Sequence, residues 1–136
     1  MSFISAARDF LSDPGELAED ENLDVMYDTV SYLLGNAMGV ENAKNTNTII
    51  QILNDKGHKI NGRKINRHQW EILILGKLRD EGIFIASHRT KGMYIIKDRE
   101  DAEKFYLQYA KRVATENNRL LWLHDLIEFG HWDKNE

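Results

Sequence analysis

Lys59, Arg63, Lys64, Arg67 and His68 stand within ten consecutive positions, interleaved with Asn66 and Gln69. The cations can hold anionic oxygens through charge-assisted hydrogen bonds. Arg, His, Asn and Gln add the donor and acceptor pairs that read the edges of flat heterocycles. A second group, His88, Arg89 and Lys91, offers more positive charge some twenty residues on. Bond-making chemistry is far less well represented. The five histidines (His58, His68, His88, His124, His131) show no HExxH-type spacing, and without cysteine a zinc site would need carboxylates. His124 and His131 lie seven apart near Asp125, Glu128 and Asp133, which reads better as a polar tail than as a site. There is no glycine-rich phosphate loop and no nucleophile elbow. The expectation is a binding protein that works without cofactor or metal, not an enzyme.

These residues belong to a segregated charge pattern. Residues 44–97 hold eleven Lys/Arg against Asp55, Glu71, Asp80 and Glu81, a net +7 in a chain of net −4. Residues 1–43 carry nine carboxylates against Arg8 alone, and residues 98–136 carry nine against six bases. A basic block between acidic flanks is what a localised polyanion-binding surface looks like, the flanks limiting non-specific adhesion. The acidic N-terminal part admits three readings: a solvated face, a shield displaced by a polyanion, or a mimic of phosphate charge.

At 136 residues, 42% of them hydrophobic, the chain is long enough to bury one real core. The absence of cysteine suits a reducing compartment. No basic, apolar leader opens the sequence, and the longest aliphatic run, Ile72–Leu75, is far short of a membrane span. A cytoplasmic protein with no membrane partner is expected.

Periodicity supplies the elements that must position the charges. Apolar residues at helical spacing predict helices over residues 2–11 and from Leu23 to about Gly39, separated by Ser12-Asp13-Pro14-Gly15 and an acidic collar. Asn45 or Thr46 can cap a helix carrying Ile49, Ile50, Ile52 and Leu53, and Asn66 can cap another running through Trp70 to Glu81-Gly82. Residues 83–87 and 92–96 are β-rich and joined by the basic residues 88–91, a hairpin. Asp98 and Asp101 begin a last helix in a capping-box-like arrangement. Asn117-Asn118 either divides it in two or lies on its solvent face, and from Gly130 the sequence reads as a frayed tail. Trp70 is expected in the core, and Tyr106 and Tyr109 in helix packing.

Helix, basic connector, helix and basic-tipped hairpin follow one another in the order of a winged helix. The run Leu78-Arg79-Asp80-Glu81-Gly82-Ile83-Phe84-Ile85-Ala86-Ser87, with Lys91-Gly92-Met93-Tyr94-Ile95-Ile96 after it, resembles winged helix-turn-helix proteins of bacterial and phage type. The resemblance covers roughly residues 45–115. It implies a mainly α fold with a small β-hairpin wing: an acidic helical extension (1–43), a winged-helix core (44–97), and a C-terminal helix or helices for packing and dimerisation (98–136). It further implies double-stranded DNA as partner. Asn66, Arg67, His68 and Gln69 would read bases, Lys59, Arg63 and Lys64 would hold phosphates, and His88, Arg89 and Lys91 would be the wing contacts. The role implied is a transcriptional regulator or a phage or plasmid accessory factor.

Two features stand apart from that pattern. The stretch from Gly57 to Gly82 is short for both helices of a helix-turn-helix, so the first is expected to be truncated or replaced by the basic loop. Ile72–Leu75 wraps most of its helix in apolar surface, which calls for burial on more than one side, by the N-terminal helix or by a second subunit. A homodimer built through the terminal helices is therefore expected. The alternative is a protein-interaction module, or an inhibitor of a nucleic-acid enzyme, that docks through its acidic helices.

Overall fold

Helical spacing of apolar residues becomes helix throughout the chain. The structure, a computed structural model, describes residues 3–129; Gly130 and the tail behind it, with His131 and Asp133, lie outside the described residues. Helix α1 spans Phe3–Ser12, a 3₁₀ turn covers Gly15–Glu19, and α2 spans Leu23–Asn36. Helix α3 (Thr46–Asp55) follows a short 3₁₀ turn at Val40–Asn42. Then α4 (Arg67–Trp70), a π-helical turn (Glu71–Gly76) and α5 (Lys77–Asp80) run on without a break as one rod. Strands β1 (Ile85–His88) and β2 (Gly92–Ile95) form an antiparallel hairpin, and α6 (Arg99–Phe129) is a single helix through Asn117-Asn118. The protein is thus mainly helical with one two-stranded hairpin. No described helix is long and apolar enough to cross a membrane.

Helix starts follow their caps. Asn45 rather than Thr46 caps α3, its side chain accepting from the Asn47 N–H at 2.8 Å. Asn66 caps α4 by accepting from the Gln69 N–H at 2.9 Å. Asp98 accepts from the Asp101 N–H at 2.9 Å ahead of α6. Each such cap satisfies a backbone donor that the helix itself leaves free and is worth about 1 kcal/mol. Helix α2 ends at Asn36, three residues before Gly39, because the chain turns into an extended segment that pairs with β2.

The sequence carries no sign of that pairing. Ile95 N–H donates to Ala37, Gly39 N–H donates to Ile95, and Lys44 and Met93 exchange bonds of 2.8 and 2.7 Å. Gly92 makes this approach possible. Its φ is +106°, and a Cβ there would lie 2.1 Å from the Lys44 carbonyl oxygen.

One compact unit runs as far as Ala102 and a second begins at Glu103. The core of the first joins Phe10 of α1, Met26, Val30 and Leu33 of α2, Ile49 and Leu53 of α3, and Trp70, Ile74 and Leu78 of the rod. Burying each such side chain contributes about 1.5–3 kcal/mol. Trp70 is fully buried, as expected, and its indole N–H donates to the Thr29 hydroxyl at 3.4 Å. Between Gly57 and Gly82 the rod is the one helical element, so the basic connector stands where a first helix of that stretch was expected to be replaced, and a full ten-residue α3 lies ahead of Gly57. The Ile72–Leu75 run is also less exceptional than its composition. The π turn distributes it so that Ile74 and Leu75 enter the core, where the turn packs on α2, Leu73 is half-buried, and Ile72 alone is exposed.

Candidate nucleic-acid interface

The connector between α3 and α4 is built, not slack. Ile60 and Ile65 are buried and anchor it to the core. Between them Ile60 and Arg63 exchange backbone hydrogen bonds of 3.0 and 3.1 Å around Asn61-Gly62. Both central residues have positive φ (54° and 75°), the pattern of the type I′ turn that Asn-Gly favours. The far end is clamped by Asn54. Its amide oxygen accepts from the Ile65 N–H at 2.8 Å, and its NH₂ donates to the Ile65 carbonyl at 3.1 Å. With Ile60 and Ile65 pointing inward, Lys59, Arg63 and Lys64 are left exposed.

The start of the rod is less uniform. Asn66, Arg67 and His68 are exposed, but the Asn66 oxygen is engaged in the cap, and Arg67 donates to Glu71 at 2.9 Å one turn on. Gln69 is half-buried, with its side-chain oxygen enclosed and unpartnered. Of the four residues expected to read bases, His68 alone is both exposed and uncommitted to another described residue.

At the hairpin tip His88 acts inward. Its Nδ1 accepts from the backbone N–H groups of Thr90 and Lys91, each at 3.2 Å, which fixes the turn. Arg89 and Lys91 remain exposed. The hairpin is tied to the rod by Arg79, whose Nε and Nη2 donate to the Ile85 carbonyl at 3.1 and 2.7 Å. No hydrogen bond or ion pair joins the connector residues to the tip residues among the described residues.

No family model, curated protein or solved structure matches the chain. The acidic N-terminal carboxylates pair selectively. Asp28 lies 2.5 Å from His58 and 3.9 Å from Lys56, Asp20 lies 2.6 Å from Lys77, and Glu41 pairs with Lys97. Burial pulls the Asp20 carboxyl pKa up, but the Lys77 ammonium and the Asn22 N–H outweigh it and leave it below the usual value. The hydrogen bond to Lys97 likewise holds Glu41 low, with a smaller contribution from the charge of Lys91. Lys59, Arg63, Lys64, Arg89 and Lys91 are in no ion pair among the described residues. Such a set can bind a polyanion without first breaking internal pairs.

The clamp at Asn54 carries no sequence signal, because its partner is eleven residues away. The Asn61-Gly62 turn does carry one, as a dipeptide that specifies tight hairpins.

Proposed function

We propose that this chain binds double-stranded DNA on a winged-helix frame, as a regulator or an accessory factor of a phage or plasmid. The order of elements supports the frame: helix, extended segment on β2, helix, connector, helical rod and hairpin. One observation carries the binding reading. The flanking carboxylates pair with Lys56, Lys77 and Lys97, while the five cations of the two ordered turns stay unpaired among the described residues. Phosphate contacts of this kind give affinity and orientation, and base edges are left to the start of the rod. There His68 is the free donor, and the exposed Ile72 one turn later is suited to a thymine methyl.

Binding to a duplex of mixed sequence, followed by fluorescence anisotropy, tests this. Arg63→Ala/Lys64→Ala/Arg89→Ala should lose about 100-fold in affinity, at roughly 1 kcal/mol per contact and 1.4 kcal/mol per tenfold. Unchanged affinity of a folded triple variant contradicts the reading. The exposed Ile72, 54% accessible beside the Arg67–Glu71 pair, favours a second reading. On that reading the rod docks on another protein, and the triple variant leaves the function intact.

A further inference from the structure

Helix α6 has 31 residues, and nine large apolar side chains are exposed among its described residues. From Tyr109 they recur in alternating steps of four and three: Tyr109, Val113, Glu116, Leu120, Leu123, Ile127. That is the phase of a coiled-coil seam, with Glu116 the one polar member. Trp122, 72% exposed, stands about 140° round the helix from this stripe and is not part of it. The five apolar members of the stripe, Tyr109, Val113, Leu120, Leu123 and Ile127, lie along one face and are each at least 39% exposed, a continuous apolar surface of the kind that marks an interaction site.

The charge along the helix says what covers the stripe. Residues 99–119 carry Arg99, Lys104, Lys111, Arg112 and Arg119 against Glu100, Asp101, Glu103 and Glu116, whereas residues 120–129 carry only Asp125 and Glu128. The first part is therefore +1 and the last part −2. Two parallel copies would set like charge beside like charge. Two antiparallel copies set opposite charges together and also oppose the helix dipoles.

We propose that α6 is the self-association element of this protein, two copies pairing antiparallel through the 109–127 stripe. The seam then sets Tyr109 level with Ile127 of the partner subunit and Val113 level with Leu123 of the partner subunit, with the two-fold axis at Asn118. An interface of this kind is isologous and closes at the dimer. The proposal is independent of what the basic turns bind.

Light scattering on the full chain reads the mass, expected at twice the 15.8 kDa of one chain. Leu120→Glu/Leu123→Glu should give the monomer while thermal unfolding of the remainder persists. Because the chain has no cysteine, single nitroxide labels at Asn118→Cys and Lys104→Cys read the orientation without perturbing the seam. Labels at position 118 should lie roughly 15–20 Å apart, for helices 8–10 Å between axes. Labels at position 104 should lie about 40 Å apart, from the 1.5 Å rise per residue. A monomer at micromolar concentration, a dimer indifferent to the double substitution, or short distances at both positions would overturn the proposal.

Discussion

Asn54 holds the connector to α3 with both polar atoms of one amide. Alanine there removes two hydrogen bonds and strands a backbone N–H that is only partly reachable by water. At roughly 0.5–1.5 kcal/mol per bond, Asn54→Ala should lower the urea unfolding free energy by about 1–3 kcal/mol, whereas Asn47→Ala on the exposed face of α3 should cost little. Asp20 gives a second prediction with a definite sign. Its folded pKa lies below the ordinary 3.8, so the pair with Lys77 contributes stability that is present above the unfolded pKa and is lost as pH falls through the folded one. The difference in unfolding free energy between the wild type and Asp20→Asn should therefore be constant from pH 7 to 5 and shrink as the pH falls below the unfolded value and through the folded one. A difference that does not shrink on acidification would mean the carboxylate does not act by its charge.

The helices were legible because their apolar residues recur at three and four and their caps are asparagine and aspartate, whose side chains satisfy the first free N–H groups. The hairpin was legible from its β-rich runs and basic turn. Two features were not. The segment from Ala37 to Lys44, with its 3₁₀ turn at Val40–Asn42, bonds to β2 through backbone groups at its two ends, and a sequence without alternation gives no sign of that. The π turn shifts the register of the rod, so the residues that a regular 3.6 period spreads around the helix are gathered on one side and Ile72 alone stands out. At the candidate site the cations were visible from their spacing, while the burial of Gln69 and the inward role of His88 depend on tertiary contacts that spacing does not encode. The β2 pairing yields a sharp test. A Cβ at Gly92 would meet the Lys44 carbonyl at 2.1 Å, and the chain cannot relieve this without breaking the Lys44–Met93 bonds. Gly92→Ala should cost at least about 2 kcal/mol, in the range of a strained φ plus a lost backbone pair. Gly57→Ala meets no neighbouring atom and bears only the φ penalty. Equal costs for the two substitutions would show that the segment 37–44 is not held against β2.

Across the whole molecule, the net charge of −4 conceals a division of labour. The acidic flank pairs with Lys56, Lys77 and Lys97 and leaves the cations of the connector and the hairpin tip out of ion pairs among the described residues. The carboxylates of that flank form specific pairs with these lysines, and Glu41 also feels the charge of Lys91 at the tip. The salt dependence of duplex binding tests this most directly. Five phosphate contacts release counterions with a slope of about −0.9 per contact in log K against log salt. The wild type should therefore show a slope near −4 to −5, and Arg63→Ala/Arg89→Ala a slope shallower by about two. Binding that is absent at low salt, or a slope unchanged by removing those two cations, would contradict the account.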